Sequence, residues 1–509
     1  MNKVAIGMAM PCVIVIPILL ICQSELDAAE LQVPLRYPTI QSAIDDAVGG
    51  DTVLIAPGVY KGDGNRDIEF RGKAITVKSE AGPEVTVLDA EGAFGDWHRH
   101  FNFRENETAE SVVEGLTLVG GWPQGSGGAI KIGDAVSGGA SPTIRGNILR
   151  GNKTQRGAGI HIDATRGNAQ PLIEHNIFED NETRGYTVEN DPFDGCGSAG
   201  AIFGYKCAAV IRKNVFRHNR SRSHAGAIDM WLGAPVIEGN WFENNNSDPE
   251  GHGMGMGGAI LLQGCFSTLH SNVFCGNQAD QGGAIAFRNL ASLNTGTIAN
   301  NTLVSNLVRQ SRAGGAIYAQ SMTDVNVANC IFWNNHDGSG AGSEILESTL
   351  GSVLVSYSIV EGGWQAGTNV QSDDPQFVNG GSNNFNLRRA SPAIDVGHGT
   401  YAPAQDFAGK PRVDARHVAS SGVGSPAYTD IGAYEWHGAL LATVQSWSEL
   451  STNGSEFSDV PDKPMPIGRL AAGCSLASNT GLVWWLVSHG LLAPAAWRSA
   501  LRKEQARGS

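Results

Sequence analysis

The residues best suited to chemistry follow a motif, Gly-Ala-Ile or a close variant, that recurs seven times along the chain. One and three positions after the motif Ile, the residue type varies from copy to copy. Charged and aromatic side chains occur among them: Lys131, His161, Asp163, Phe203, Tyr205, Asp229, Trp231, Arg288 and Tyr318. Aromatic rings beside charged groups suit sugars, whose C–H faces stack on rings while their hydroxyls bond carboxylates. For any one of these residues, a solvated side chain that covers its neighbours is the simpler interpretation.

Six of these residues form the predicted ligand-binding set: His161, Asp163, Tyr205, Asp229, Trp231 and Arg288. Two long insertions, 182–199 and 246–257, flank the levels of the chain that carry the middle of this set. Long loops on a rigid scaffold are where binding function concentrates. We therefore predict that Tyr205, Asp229 and Trp231 point outward into a groove walled by the two insertions.

Short strands must position these residues. Two positions after the motif Ile, no polar residue occurs in any copy; the residues are Ile132, Ile162, Gly204, Met230, Leu262, Phe287 and Ala319. This alternation of apolar and variable positions is the period of a strand with one buried face. A second apolar segment follows each motif and carries an Asn with another Asn five positions later. The pairs are Asn147/Asn152, Asn176/Asn181, Asn214/Asn219, Asn240/Asn245, Asn272/Asn277, Asn301/Asn306 and Asn329/Asn334.

One such repeat cannot bury its own apolar face, but stacked repeats bury a continuous core. Equivalent strands then lie about 4.8 Å apart and form internal ladders of Ile, Phe and Asn. The sequence thus predicts an all-β fold, a right-handed parallel β-helix. An exposed end of this core needs a cover. An amphipathic N-terminal segment with Ile40, Ala43, Ile44, Ala47 and Val48 on one face is predicted to be a capping helix.

This layout resembles the pectin-lyase-like superfamily of secreted right-handed β-helices, over residues 31–436. The pairing of "GGAI" with "FEDN", "FRHN", "FENN" and "FCGN" resembles the repeats of chlamydial polymorphic outer-membrane proteins, which are surface adhesins. The C-terminal part of the repeat region, "NFNLRRASPAIDVG…DFAGKPR…TDIGAYEW", resembles the terminal module of bacterial surface β-helix proteins with variable C-terminal anchors. The resemblances imply a secreted or cell-surface protein that binds an extracellular polysaccharide or surface glycan in an adhesin-like way.

Two catalytic alternatives stay open. A polysaccharide lyase of this superfamily needs a basic residue as its base, for which Lys131, Lys206 and Arg288 are candidates, and usually Ca²⁺ held by carboxylates. No cofactor is predicted for a binding protein, whereas a lyase implies Ca²⁺, with the loop residues Asp191 and Asp194 as candidate ligands. A glycoside hydrolase needs a carboxylate pair, for which Asp163 and Asp229 are candidates.

The net charge of −14 narrows the range of partners. Nucleic acid is a poor partner because binding phosphates requires a basic surface. An anionic polysaccharide requires a local basic patch that acts against the overall field. Composition therefore favours a glycan over a nucleic acid.

The chain divides into a predicted signal peptide, 1–29, a β-helix domain, 31–436, and a polar linker with an apolar and basic tail, 437–509. Clear repeats occupy 127–335 and a C-terminal module occupies 372–436. The first segment has a Lys, an apolar run and a small-residue exit, which predicts export. The tail is the one predicted contact with a membrane, through an anchor. Cys196 with Cys207 and Cys265 with Cys275 are the nearest candidates for disulfides, and buried thiols are the alternative.

Overall fold

The computed structural model describes residues 28–134, 139–184, 197–289, 294–310, 314–320, 323–338, 344–348 and 352–438. All of them belong to the first of two compact units, 1–452; the second, 453–509, lies outside the described residues. The described chain confirms the predicted fold class, a parallel β-helix with a short N-terminal helix. Three long parallel sheets, which we call A, B and C, run along the coil, and a shorter corner sheet lies between B and C in chain order.

The strands of each sheet stack one coil above another, in chain order. Sheet A contains Glu30–Val33, Thr52–Ile55, Thr76–Ser79, Val112–Glu114, Thr143–Arg145, Leu172–Glu174, Val210–Arg212, Val236–Glu238, Phe266–His270, Asn294–Ala299, Thr323–Ala328 and Ser352–Ser356. Sheet B contains Gly58–Lys61, Thr86–Asp89, Thr117–Val119, Ile148–Arg150, Ile177–Glu179, Val215–Arg217, Trp241–Glu243, Val273–Cys275, Thr302–Val304, Ile331–Trp333 and Ile359–Val360.

Sheet C carries the motif Ile residues and the predicted site. It contains Ile68–Glu69, Phe101–Phe103, Ile130–Ile132, Ile160–Asp163, Ile202–Tyr205, Ile228–Trp231, Ile260–Gln263, Ile285–Arg288, Ile317–Ala319 and Ile345–Glu347. The corner sheet contains Lys153–Thr154, Glu182–Thr183, Arg220–Ser221, Asn246–Ser247, Gln278–Ala279 and Leu307–Val308. Beyond the coil, Phe377–Asn379 pairs antiparallel with Asn384–Leu387, and 3-10 turns occupy Gly380–Ser382 and Gly399–Tyr401.

Two ladders of buried asparagines hold the coils in register. In each ladder the side-chain oxygen of one Asn accepts both the backbone and the side-chain N–H of the Asn one coil earlier. Asn214, for example, donates to Asn240 Oδ1 from its backbone at 2.9 Å and from Nδ2 at 3.0 Å. Its Nδ2 also donates to the carbonyl of Ile173 at 2.9 Å. The repeated Asn is therefore a satisfied internal polar group.

The sharp bend belongs to the residue before each ladder Asn, which takes a left-handed conformation: φ is +55° at His175 and +53° at Lys213. This corrects the last predicted pair, since Asn329 and Asn334 occupy the bend positions, with φ of +54° and +58°. Cys330 and Asn335 take the ladder positions, where they accept from Asn301 and Asn306. Asn suits both the bend position and the ladder position, so the sequence pattern placed this pair one residue too early.

A continuous phenylalanine ladder fills the coil interior beneath sheet B. Phe178, Phe216, Phe242 and Phe274 are fully buried. Consecutive ring centroids lie 4.8, 4.8 and 4.7 Å apart, with interplanar angles of 9°, 5° and 3°. This spacing equals the distance between strands, as stacking in register requires.

Opposite charges also stack outside sheet A, one per coil. Arg145, Glu174, Arg212, Glu238 and His270 are consecutive register partners. Arg212 lies 2.7 Å from Glu174 and 4.0 Å from Glu238, and His270 lies 3.0 Å from Glu238. The sign of the charge thus alternates from Arg145 to Glu238 along this column.

A helix covers the N-terminal end of the coil, and the C-terminal module packs on its side. At the N-terminal end, the helix Ile40–Asp46 buries Ile40, Ala43 and Ile44, and Thr39 caps it with Ser42 in a capping box. Val48 lies beyond the helix and is exposed, so its predicted place on the buried face was wrong. The C-terminal module packs against the outside of sheet B, where Phe385 and Phe407 lie 5.9 and 6.0 Å from the Trp241 ring.

Cys207, Cys265, Cys275 and Cys330 are buried free thiols, so Cys265 and Cys275 do not pair. Cys196, the predicted signal peptide except Ala28 and Ala29, and the tail from residue 439 lie outside the described residues. Among the described residues, no helix has the length and apolar character needed to cross a membrane.

Replacing Phe242 with Ala is expected to lower the free energy of unfolding by about 3–5 kcal/mol, because it opens a cavity in the middle of the phenylalanine ladder. Chemical denaturation followed by far-UV circular dichroism measures the loss. The matched control is Phe266→Ala, since Phe266 is 63% exposed on sheet A. Equal midpoints for the two variants would contradict the packing described here.

Candidate functional site

Two columns of outward residues run along sheet C, one residue per coil. The pleat turns Ile160 and Ile162 inward, so that His161 and Asp163 face away from the core. The strand register then sets the members of each column. The first column reads Lys131, His161, Phe203, Asp229, Leu261, Ala286 and Tyr318. The second column reads Asp163, Tyr205, Trp231, Gln263 and Arg288.

A third column, absent from the sequence prediction, lies beside the first. It consists of the residues four positions before the motif Ile, which form single parallel bridges from coil to coil: Ser126, Arg156, Ser198, His224, Met256 and Gln281. Several of their side chains reach the first column, as Ser198 reaches Asp229 and Arg156 reaches Phe203. We call these three columns together the outer strip.

The third column corrects the prediction that Asp229 points into an open groove. Asp229 is 0% exposed, and His161 is buried as well. Trp231, Tyr205, Asp163 and Arg288 are half-buried and keep part of their surface toward solvent. Facing away from the core thus does not mean exposure here, because the neighbouring column covers the first.

Asp229 is the centre of a hydrogen-bond network. Its Oδ1 accepts from the indole Nε1 of Trp231 at 2.9 Å and from Nε2 of Gln263 at 2.8 Å. The hydroxyl of Ser198 donates to Oδ2. Burial raises the pKa of Asp229 to about 6, although these three bonds and the charge of Arg288 act in the opposite direction. Asp229 therefore fixes the Trp231 ring and does not itself contact a ligand.

Cations gather at the N-terminal end of the outer strip. The Arg156 guanidinium lies 5.7 Å from the ring centroid of Phe203 and 5.9 Å from that of Trp231, within the range of cation–π attraction. Arg99, two coils before Arg156, donates to the carbonyl of Ser126 at 2.9 Å. Burial lowers the pKa of Lys131 and the charge of Arg99 lowers it further, while the charges of Asp134 and Asp163 act in the opposite direction.

His161 lies among these cations and stacks on Phe203, with ring centroids 5.1 Å apart and an interplanar angle of 8°. Burial, followed by the charges of Lys131, Arg156 and Arg99, lowers its pKa well below 6.5. The imidazole is therefore neutral at neutral pH. Arg99 keeps its charge, since burial lowers its pKa only to about 10. This end of the outer strip is a local basic patch on an acidic protein.

The other predicted residues occupy different parts of the outer strip. Arg288 donates to Nε2 of His224 at 3.1 Å, and burial lowers the pKa of His224 to about 4. Asp163 accepts the backbone N–H of Thr165 at 2.8 Å. Asp163 and Asp229 are two coils apart in register, so they do not form a close carboxylate pair.

A cluster of metal-ligating side chains is absent from the described residues. Among them, no three His, Cys, Asp or Glu side chains come together as metal ligands would. Asp248 is buried in the 246–257 insertion and lies 2.8 Å from His252, which also lies 3.4 Å from Glu250. Asp191 and Asp194 fall outside the described residues, as does most of the 182–199 insertion, so the predicted groove and its metal candidates stay predictions.

No protein-family model and no curated protein matches the sequence. Solved structures with a similar fold include pectate lyase Pel9A, with 15% identity, a TM-score of 0.43, and coverage of 78% of this chain and 90% of that one. They also include the PL6 family alginate lyase AlyGC, with 14% identity, a TM-score of 0.35, and coverage of 68% and 50%. A mannuronic-acid-specific family 6 lyase from human gut microbiota has 14% identity, a TM-score of 0.36, and coverage of 68% and 82%. These likenesses concern the β-helix fold.

Asp229→Asn is expected to stabilise the protein above pH 6. The folded state raises the pKa of Asp229 from 3.8 to about 6. A protonated Asp229 therefore adds no penalty to folding below pH 3.8, whereas folding with an ionised Asp229 becomes less favourable as the pH rises through 6. Asparagine keeps the acceptor for Trp231 and Gln263 and offers an N–H to Ser198. We expect a gain of roughly 1–3 kcal/mol at pH 8 that shrinks toward pH 4, measured by denaturant unfolding at both values.

The control for this measurement is Asp163→Asn, which changes a half-buried carboxylate on the same sheet. An Asp229→Asn variant that is less stable than the wild type at pH 8, or a gain that is the same at pH 4, would contradict the burial of an ionisable Asp229.

Proposed function

We propose that this protein binds a carboxylate-bearing polysaccharide outside the cell, along the outer strip of sheet C. The observation that carries the proposal is the convergence of Arg99, Lys131 and Arg156 on a neutral His161, next to the rings of Phe203 and Trp231.

The electrostatics of this patch favour an anionic ligand. The charges of Arg99 and Lys131 depress the pKa values of their neighbours, which means that these cations repel one another in the free protein. A carboxylate bound between them relieves that repulsion. The net charge of −14 makes a basic patch the exception on this surface, so a polyanion is directed to it.

The rings supply the second half of a sugar site. Hydrogen bonding to Asp229 holds the indole of Trp231 in place, so stacking a sugar on it costs little conformational entropy. Tyr205 lies directly beneath Trp231 in the same column, one coil away. Coils repeat about every 4.8 Å, which is close to the size of one sugar ring. Successive rings of a polysaccharide thus meet successive coils.

Binding without catalysis is the first candidate. The repeats resemble those of surface adhesins, and the N-terminal segment resembles a secretory signal peptide, so the proposal places the protein outside the cell. It includes surface attachment through the C-terminal tail. The hydrolase alternative gains no support, because Asp229 is fully buried and its two oxygens accept three hydrogen bonds.

A lyase is the second candidate, and the lowered pKa of Lys131 favours it. A lysine held closer to neutrality is a better base for taking the proton beside a uronate carboxyl group. No step is assigned to calcium, because its candidate ligands Asp191 and Asp194 lie outside the described residues.

Arg156→Gln is expected to weaken binding to polygalacturonate or alginate roughly tenfold, since it removes a charge from the patch and a contact to two rings. Trp231→Ala is expected to weaken it to a similar degree. Affinity electrophoresis in gels that contain either polymer measures both, with hydroxyethyl cellulose as the neutral polymer. Raising the salt concentration weakens the wild-type interaction if charge drives it.

The matched control for Arg156→Gln is Lys78→Gln, which removes a cation from the strand Thr76–Ser79 of sheet A. Retention of polymer binding by Arg156→Gln and Trp231→Ala, or equal wild-type binding to the neutral polymer, would refute the proposal.

The lyase candidate makes a separate prediction. The wild type releases unsaturated uronate ends from the polymer it binds, and Lys131→Gln lowers the rate at least about a hundredfold while the affinity changes less. Ultraviolet absorbance of the unsaturated product, with and without a chelator, measures it. No product from a polymer that the protein demonstrably binds would leave binding as the function.

A further inference from the structure

A second group of aromatic side chains lies apart from the outer strip, near the N-terminal end of the coil. Phe94 and Trp97 meet with ring centroids 5.3 Å apart, and Trp97 and Trp122 with centroids 6.4 Å apart, both edge to face. Phe94 is 73% exposed, and the two indoles are half-buried. We call Phe94, Trp97 and Trp122 the aromatic platform.

The backbone holds this platform rigidly. Ala93 and Asp96 exchange hydrogen bonds at 2.8 and 3.0 Å, which closes a tight turn with Phe94 in it. The turn packs against the coil, because the backbone N–H of Trp122 donates to the carbonyl of His98 at 2.8 Å. A Cβ at Gly92 would lie 2.6 Å from the backbone nitrogen of Trp122, so only glycine allows this approach. The rings are thus presented in a fixed arrangement.

Polar groups border the platform. His98 bridges two carboxylates, with Nδ1 at 2.6 Å from Asp67 and Nε2 at 2.9 Å from Asp96. Both carboxylates keep much of their surface in solvent, with 49% and 68% of the side chain exposed. Apolar rings beside fixed hydroxyl-binding groups are the features of a saccharide site. A specific protein interface takes roughly 20–30 residues on each side, far more than this group offers.

One short segment connects the platform to the outer strip. The Lys153 ammonium lies 5.2 Å from the centroid of the Trp122 ring. Three residues later, Arg156 lies over Phe203 and Trp231. Segment 153–156 therefore places a cation over each of the two groups of rings. Next to it, Arg99 donates to the carbonyl of Ser126, and the backbone of Ser126 pairs with that of Arg156.

We propose that the aromatic platform is a distal subsite for the same acidic polysaccharide chain that the outer strip binds. This inference rests on the proposed function. A sugar ring of that chain stacks on Phe94 and Trp97, its hydroxyls bond Asp67 and Asp96, and Lys153 neutralises a carboxylate on the way to Arg156. A long chain contacts both the outer strip and the aromatic platform, whereas a trisaccharide binds to the outer strip alone.

The test compares Phe94→Ala/Trp97→Ala with Trp231→Ala, on the uronate polymer that the wild type binds and on the trisaccharide of the same uronate. The double variant is expected to bind the polymer roughly tenfold more weakly and the trisaccharide as the wild type does. Trp231→Ala is expected to weaken both. Phe266→Ala is the matched control for loss of an exposed ring, and thermal unfolding verifies that each variant is folded.

The outcomes separate this inference from the function it rests on. Unchanged polymer binding by the double variant, with binding lost in Trp231→Ala, overturns the platform and leaves the outer strip. Loss of trisaccharide binding in the double variant would show that the aromatic platform is not a distal subsite. A wild type that binds neither polymer overturns both. A change of oligomeric mass in the double variant, measured by light scattering, assigns the platform to self-association instead.

Discussion

The structure depends on the hydrogen bonds of the two asparagine ladders. Each ladder places a primary amide inside a turn, where its N–H groups and oxygen satisfy backbone groups of the adjacent coils. A buried polar group left without such partners costs free energy, so a coil that slipped by one residue would lose these bonds along its whole length. The ladders therefore fix the register of the coils from Asn147 to Asn335. At the far end the second ladder closes on Glu344, whose carboxyl accepts two N–H groups of Asn335.

Fixed register is what turns scattered residues into a site. Because the motif Ile residues stack in one column, the residues one and three positions later stack as well, and Trp231 comes to lie above Tyr205. The third column arises in the same way from single bridges four positions earlier. The stacking of the coils then holds Arg99, Lys131 and Arg156 close together, although their positive charges repel one another. The basic patch around His161 is a consequence of the repeat.

Most of the fold follows from the sequence, since a repeated residue in a solenoid occupies one column. The Phe ladder and the alternating charges outside sheet A were predictable for this reason. The last repeat was misaligned because Asn suits both the bend position and the ladder position of a turn, as Asn334 and Asn335 show, and only the paired strands decide between them. The burial of Asp229 escaped prediction because its cover comes from Ser198 and its neighbours, which share no residue type. The aromatic platform precedes the regular repeats, so no column pointed to it.

Binding of a uronate chain along the outer strip requires a carboxylate among the cations of the basic patch. A crystal structure of the protein soaked with the trisaccharide of the polymer it binds tests this most directly. We expect density over Trp231, with a carboxylate within hydrogen-bond distance of Lys131 Nζ or of the Arg156 guanidinium. Density for the trisaccharide on another face, with the strip open to solvent in the lattice, would contradict it.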